Sequence, residues 1–259
     1  MPDPNISPIY QLVEVVDRLL GPGGCPWDQE QTHETLKKYL LEEAYEVLDA
    51  IDSGNVDRLR EELGDLLLQP VMHAQMEKAA GRFDIDDVAR AITEKLVYRH
   101  PHVFGEVSVV DADEVLRNWD VLKQAEKPEE RKSILSGVPL GMASLLRAHE
   151  VSKRAARVGF EWPDLDSVFE KLQEEEGELK EAIEQGDSNR VEEEIGDLLF
   201  TAVNIARWCK IEPEEALRKM LNRFTERFMQ MEETCDRPLR ELTPEEWEDL
   251  WQAAKKAVG

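Results

Sequence analysis

The sequence is poor in cysteine and contains no long apolar run, and both absences narrow the class of protein. The three cysteines, Cys25, Cys209 and Cys235, are an odd number without the spacing of zinc ligands, which argues against a disulfide framework or a zinc site. No stretch approaches the roughly 18 apolar residues of a membrane span, and the first ten residues lack the basic and apolar segments of a secretory signal. We therefore expect a cytoplasmic protein with no membrane partner.

Basic residues are scarce as well. The chain has 32 Lys and Arg residues against 56 Asp and Glu residues, a net charge of -24. An excess of this size repels the phosphate backbone of nucleic acids, so we expect no nucleic-acid partner. If the substrate is a smaller polyphosphate, divalent cations must mask some of the acids, and Lys or Arg side chains must lie near the phosphates.

The chain contains an internal repeat. Residues 39–68 align without a gap onto residues 171–200 at an offset of 132, and 14 of the 30 positions are identical. Chance matching explains only a few identities, so the chain holds two copies of one unit. We place the first module at residues 1–125, a linker rich in charged residues at 126–138 and the second module at 139–259.

Each copy has the apolar spacing of amphipathic helices. Gly54 and Gly186 interrupt the pattern, so each copy begins with an antiparallel helical hairpin. A third helix is predicted over residues 84–99, and its counterpart begins after Pro213. No segment resembles a strand, so the predicted class is all-α, with tandem duplicated helical modules. The last helix of each copy is predicted to start at a capping box, formed by Asp111 with Glu114 and by Thr243 with Glu246.

Two pairs of acids in each hairpin are candidates for chemistry. In the first copy Glu43 and Glu46 lie one turn apart on one helix, and Glu62 and Asp65 repeat that spacing on the next. All four lie at the edge of the apolar stripe, so packing the two stripes together brings four carboxylates to the rim of the core. Their repulsion favours a bound cation. The second copy repeats the set as Glu175, Glu178, Glu194 and Asp197.

The donor atoms narrow the identity of the metal. Ferritin-like di-iron bundles use Glu-x-x-His pairs, whereas both partner positions here are carboxylates. Oxygen-only ligands favour Mg²⁺ or Mn²⁺ over zinc or iron. The alternative is that these acids are solvated residues on an acidic surface, although recurrence of both pairs at one offset disfavours it.

Basic and aromatic side chains follow on later helices. Lys95 and Arg99 share a helix face, as do Arg223 and Arg227, and each pair is suited to grip a polyphosphate. The alternative is pairing with surface acids. Trp119 and Trp251, followed by Lys123 and Lys255, are suited either to stack on a base or to pack in the core.

Several longer segments carry a family resemblance. The first copy contains GGCPWDQEQTHETLKKYLLEEAYEVLDAI, EELGDLLLQPVMHAQM and YRHPHVF, and the second contains VGFEWPDLDSVFEKLQEEEGELKEAI and EEEIGDLLF. Over almost the whole chain these segments resemble the two-domain MazG family within the all-α nucleoside triphosphate pyrophosphohydrolase superfamily. The resemblance implies Mg²⁺-dependent hydrolysis, with Mn²⁺ as the alternative ion, of NTP or dNTP substrates to the monophosphate and pyrophosphate. It also implies a homodimer whose site lies in a helical bundle.

The resemblance assigns residue roles mainly to the second copy. The catalytic metal ligands are Glu175, Glu178, Glu194 and Asp197, and the first copy retains equivalents at Glu43, Glu46, Glu62 and Asp65. Which copy hydrolyses the substrate stays open. The implied substrate contacts are Lys171, Leu172, Gln173, Glu174, Glu175, Arg190, Val191, Glu192, Glu193, Asp197, Arg223, Arg227 and Trp251.

Rival functions also stay open. One is a non-catalytic helical scaffold stabilised by metal, or a regulatory nucleotide-binding protein. Another is an enzyme that releases orthophosphate from the end of the triphosphate. The basic pair on the third helix favours an enzyme, because a scaffold has no need of Arg223 and Arg227 beside a metal site.

Overall fold

The computed structural model describes residue 3 and residues 5–125 and 133–259, and every regular element in that part of the chain is helical. The chain divides into two compact units, Met1–Glu126 and Lys127–Gly259. The predicted linker at 126–138 begins in residues 126–132, which lie outside the described residues, so its bounds stay a prediction. The all-α class and the tandem duplication are confirmed.

The first unit is built around a helical hairpin. Its helices are α1 (Pro8–Leu20), α2 (Pro26–Gln29), α3 (His33–Ser53), α4 (Val56–Ala79), α5 (Ile85–Arg99), α6 (Pro101–Phe104) and α7 (Ala112–Ala125). Helices α3 and α4 pack along each other, α1 covers α4, and α5 packs between α4 and α7. The small core includes Val16, Leu36, Val71 and Met72.

The second unit repeats the hairpin. It contains α8 (Ser144–Arg157), α9 (Leu165–Gln185), α10 (Ser188–Trp208), α11 (Pro213–Thr234), a 3₁₀ turn (Leu239–Glu241) and α12 (Pro244–Val258). Helices α9 and α10 form the hairpin, α8 packs on α10, and α11 packs mainly on α12. Among the described residues, no helix has both the length and the apolar character needed to cross a membrane.

The glycines end the first helix of each hairpin, as predicted. Gly54 and Gly186 adopt left-handed conformations with φ of 64° and 69°. A residue with a Cβ is strained there, which explains the choice of glycine. The next residue caps the second helix, because Asn55 and Asp187 each accept two backbone N–H groups from the first turn.

The predicted starts of the later helices are also confirmed. Asp84 forms a capping box with Asp87 at the start of α5. The Asp111 carboxylate accepts the Glu114 N–H at 2.8 Å, whereas the Glu114 carboxylate accepts the N–H of Val110, so only half of the predicted capping box is formed. Reciprocal capping bonds join Thr243 and Glu246 at the start of α12. These local hydrogen bonds fix where α5 and α7 begin in the first unit and where α12 begins in the second.

Candidate metal centres

The hairpins bring three of the four predicted acids together in each copy. In the first unit, Glu43 of α3 meets Glu62 and Asp65 of α4, with one oxygen from each carboxylate within 4.8 Å of the others. The second unit has the same arrangement in Glu175, Glu194 and Asp197. Glu175 is buried at 5% exposure, and the side chains of Glu62 and Glu194 are 12% exposed. Each cluster therefore lies at the rim of its hairpin core, as the helical spacing predicts.

The fourth acid of each set lies outside these groups of three but next to them. The pKa of Glu46 is raised first by burial and then by the charge of Glu62. Burial, followed by the charge of Glu194, raises the pKa of Glu178. The structure thus places each fourth acid against the glutamate of the facing helix. Its predicted role as a metal ligand stays a prediction.

The first-copy cluster is electrostatically strained without a cation. Burial is the largest cause of the raised pKa of Glu43, and the charges of Asp65 and Glu46 follow. A group surrounded by like charges favours its neutral form. A divalent cation among these oxygens would reverse that preference.

Each cluster also contains an arginine one turn before its central glutamate. Arg58 Nε lies 3.3 Å from Glu62 Oε1, and Arg190 Nε lies 3.3 Å from Glu194 Oε1. Arg190 was a predicted substrate contact, whereas Arg58 was missed. The signal was present in the repeat, since an Arg recurs four residues before the same glutamate in both copies. These arginines orient a carboxylate oxygen in both copies.

A lysine distinguishes the second cluster. Lys171 Nζ lies 2.8 Å from Glu174 Oε1 and 2.9 Å from Glu175 Oε1, and these hydrogen bonds raise the pKa of the lysine. The equivalent residue of the first copy is Tyr39, whose ring carries Lys38 Nζ at 4.4 Å from its centroid. At this position the second copy therefore places a lysine ammonium against its carboxylate cluster, whereas the first copy has a tyrosine.

The other predicted substrate contacts on the second hairpin differ in exposure. Leu172 and Val191 are half-buried, so their side chains belong partly to the packing of the unit. Their predicted contact with a nucleotide is untested. The polar members of the set are exposed, namely Gln173, Glu174, Glu192 and Glu193.

One member of the predicted basic pair, Arg227, lies beside the predicted tryptophan. Arg227 and Lys255 each lie 5.9 Å from the centroid of the Trp251 ring, and Phe224 packs against that ring at 5.3 Å. Arg227 Nη2 also donates to the Gly259 carbonyl at 2.6 Å, whereas Arg223 is exposed. Trp251 therefore packs on α11 and has two cations near its ring, whereas its stacking on a base stays a prediction.

The first unit repeats the pairing of arginine with tryptophan. The Arg99 guanidinium lies 4.8 Å from the centroid of the Trp119 ring. The side chain of Lys123, the predicted counterpart of Lys255, lies outside the described residues. The shared contact shows that α5 with α7 and α11 with α12 have equivalent places in the two units.

Comparison with known proteins agrees with this architecture. The MazG nucleotide pyrophosphohydrolase domain matches residues 31–104 and 164–231, which contain both hairpins and both carboxylate clusters. The chain is 44% identical over 248 residues to the nucleoside triphosphate pyrophosphohydrolase/pyrophosphatase MazG of Thermotoga maritima, covering 95% of this chain and 94% of that protein. It is 42% identical over 260 residues to the nucleoside triphosphate pyrophosphohydrolase of Escherichia coli K12, covering 97% and 98%. The chain belongs to the MazG nucleotide pyrophosphohydrolase family and carries the family's domain twice.

Proposed function

We propose that this protein hydrolyses nucleoside triphosphates, in ribo or deoxy form, to the monophosphate and pyrophosphate with Mg²⁺ or Mn²⁺ as cofactor. The observation that carries the proposal is the pair of three-carboxylate clusters, each built on a hairpin of the matched domain. The relatives in Thermotoga maritima and Escherichia coli are named for this activity. The free cysteines are compatible with a cytoplasmic location.

The residues present fit a hard divalent cation. Every donor in each cluster is a carboxylate oxygen, the ligand that Mg²⁺ and Mn²⁺ prefer. The raised pKa values of Glu43 and Glu178 support the fit, because crowding of carboxylates is relieved by a cation. When bound, such an ion neutralises phosphate charge and activates water for attack.

The side chains of the second unit then have separate tasks. Glu175, Glu194 and Asp197 hold the cation, and Arg190 fixes one oxygen of Glu194 from 3.3 Å. Lys171 pairs with Glu175 and presents a positive charge beside the cluster.

The helices beyond the hairpin supply the remaining substrate contacts. Arg223 and Arg227 bind the polyphosphate, and Trp251 stacks on the base. In this assignment Glu175 is a metal ligand, and an exposed glutamate, Glu174 or Glu193, takes the proton from the attacking water.

We also propose that the protein is a homodimer in which a face of α3 packs on a second copy. Leu41, Tyr45 and Leu48 follow one helix face at spacings of four and three residues, and all three are exposed, Leu41 by 58%. Exposed apolar stripes of this kind mark protein interfaces. The equivalent residues of α9 are Gln173, Gly177 and Lys180. Of the two hairpins, the first carries this apolar stripe, so we place the dimer contact on α3.

Product analysis tests the proposed activity. The protein is incubated with each NTP and dNTP in Mg²⁺, in Mn²⁺ and in EDTA, and pyrophosphate is resolved from orthophosphate. We expect pyrophosphate in Mg²⁺ and Mn²⁺ and none in EDTA. Nucleotide binding without hydrolysis would support the regulatory alternative, and orthophosphate alone would contradict the proposed cleavage position.

Sedimentation equilibrium tests the dimer. We expect a dimer for the wild type and a monomer for Leu41→Glu, because a charge within an apolar interface is costly. Leu140→Glu is the matched control, since Leu140 is 81% exposed and lies outside α3. A monomeric wild type, or a Leu41→Glu variant that remains dimeric, would contradict the proposed interface.

A further inference from the structure

A second group of ionisable side chains lies at the open end of the first hairpin. His33 begins α3, and His73 and Glu77 lie on the C-terminal half of α4. Ten residues separate His33 from Glu43, so the group is roughly 15 Å along α3 from the carboxylate cluster. The two imidazole rings are nearly parallel and meet edge to edge, with centroids 4.9 Å apart and Nδ1 atoms 2.7 Å apart.

Glu77 determines which nitrogen of His33 carries hydrogen. Arg82 pairs with both carboxylate oxygens of Glu77, one contact being 2.7 Å from Nη2 to Oε1. This hydrogen bonding is the main reason that the pKa of Glu77 falls to about 2, and His33 adds to the effect. An ionised carboxylate only accepts, so His33 Nε2 donates to Glu77 Oε1, 2.5 Å away.

His33 therefore presents an unprotonated Nδ1 to His73. In neutral His33 the proton is on Nε2, which leaves the Nδ1 lone pair directed at His73 Nδ1. One shared proton accounts for the contact when no other cation is present. A metal ion can replace it, since His73 can carry its proton on Nε2 instead.

We propose that His33 and His73 bind a borderline transition-metal cation, Zn²⁺ or Ni²⁺, through their Nδ1 atoms, with Glu77 as the carboxylate that orients His33. Imidazole nitrogens select these ions over Mg²⁺, so the site differs in chemistry from the carboxylate clusters. A carboxylate on the far nitrogen of a ligating histidine is the usual support for such sites. Water molecules complete the coordination.

The geometry requires only a small adjustment. Two Zn–N bonds of about 2.05 Å at a tetrahedral angle place the nitrogens roughly 3.3 Å apart, so the 2.7 Å contact must open by about 0.6 Å. His33 is able to move, because its side chain is 49% exposed and it is the first residue of α3. The bound ion would clamp the start of α3 to α4 and stabilise the first unit.

The second unit provides an internal contrast. At the same offset of 132, the positions of His33, His73 and Glu77 are occupied by Leu165, Ile205 and Cys209. None of these three offers an imidazole. The nitrogen-ligand site therefore lies in the first unit and has no counterpart at the equivalent positions of the second.

Calorimetric titration of the full chain with Zn²⁺ tests the site, in excess Mg²⁺ so that the carboxylate clusters are occupied. We expect His33→Ala and His73→Ala each to weaken Zn²⁺ binding at least 10-fold. Glu77→Gln should weaken it about 10-fold, as for other orienting carboxylates. His102→Ala is the control, because His102 lies outside this hairpin and should leave the affinity unchanged.

Histidine NMR on the wild-type protein provides a measurement that does not depend on the stability of the variants. The Cε1–H signals of His33 and His73 are expected to shift together at one equivalent of Zn²⁺. Unchanged signals, or Zn²⁺ affinities that are equal in the wild type and both histidine variants, would overturn the proposal and leave a shared proton as the role of the pair. Neither result depends on catalytic activity.

Discussion

The two hairpins share their acids but differ in the side chains around them. Both present a glutamate from the first helix to a glutamate and an aspartate from the second, and both pair an arginine with the central glutamate. The second unit adds Lys171 against Glu175, where the first unit has Tyr39. The duplication has therefore kept the carboxylate cluster and changed the charge beside it.

The two hairpins also differ at their open ends, away from the carboxylate clusters. The first unit places His33, His73 and Glu77 there. In the second unit, Arg207 pairs with Glu161, and its Nε donates to Ser152 Oγ at 2.7 Å. The first arrangement is suited to bind an ion, whereas the second ties α10 to α8 by polar contacts within the protein.

The comparison leads us to infer a division of labour. The first unit combines an apolar face on α3 with a cluster that lacks the lysine, and the second combines a polar face on α9 with a cluster that has it. An apolar face favours assembly, and a cation beside bound metal favours an anionic substrate. We expect catalysis mainly in the second unit and assembly mainly in the first.

The largest expected effect on activity comes from replacing the aspartate of each cluster in turn, Asp197 in the second unit and Asp65 in the first. Asp197→Asn should lower kcat roughly 1,000-fold, because a loss of about 4 kcal/mol of transition-state stabilisation corresponds to that factor. Asp65→Asn should lower kcat less than about threefold. Initial rates of pyrophosphate release measure both variants.

Glu184→Gln is the control for these variants, since it removes one exposed acid near the end of α9. It should leave the rate unchanged. Equal losses in Asp65→Asn and Asp197→Asn would refute the division of labour.

A smaller effect on kcat/KM is expected from exchanging Lys171 and Tyr39, the equivalent residues that distinguish the two clusters. Lys171→Tyr should reduce kcat/KM about 10- to 100-fold, because the charge-assisted contact with Glu175 and the positive charge near the phosphates are both lost. Tyr39→Lys should change it little. Steady-state kinetics with one NTP measure the exchange, and an unchanged Lys171→Tyr enzyme would show that the lysine is only a surface ion pair.

Without metal, substitution of the two equivalent glutamates should shift the melting temperature in opposite directions. In EDTA, Glu43→Gln should raise the melting temperature by about 1–3 °C, because it removes a repelled carboxylate. Glu175→Gln should lower the melting temperature in EDTA, since it breaks the pair with Lys171. In Mg²⁺ both should be destabilising.

Thermal unfolding by circular dichroism, with and without Mg²⁺, checks these signs. The wild type in each buffer is the reference. Shifts of the same sign for both variants in EDTA would mean that the lysine does not offset the crowding of the second cluster.

The smallest effect concerns pH. The pKa of Glu77 is lowered to about 2 by Arg82, and that of Glu161 is lowered by Arg207. A carboxyl whose pKa is lower in the folded state stabilises the protein above its unfolded pKa, and this stability is lost as pH falls through the folded pKa. The destabilisation caused by Glu77→Gln should therefore be full at pH 6 and shrink between about pH 4.5 and 2.

Denaturant unfolding at several pH values measures this change for Glu77→Gln and Glu161→Gln. The unfolding free energy of each variant is compared with that of the wild type at the same pH. A constant difference across the acid range would mean that the ionised carboxylate is not the stabilising species.

Much of the site followed from spacing within single helices. The i, i+3 acids, the glycine breaks and the capping boxes all depend on the 3.6-residue repeat and on local backbone hydrogen bonds. For that reason the sequence predicts α3, α4 and the acids on their shared face. Glu46 and Glu178 were grouped as equal ligands, although the structure sets them against Glu62 and Glu194 beside the clusters.

Contacts between helices were not predictable in the same way. The pairing of His33 with Glu77, of Arg207 with Glu161 and of Arg227 with Trp251 joins residues that are distant along the chain. The sequence by itself determined the helices, the duplication and the oxygen-only donor sets, because these depend on residue type and local geometry. Only the tertiary structure decided which carboxylates meet, which have a lysine beside them and which apolar faces stay exposed, since these depend on how each hairpin packs against its neighbours.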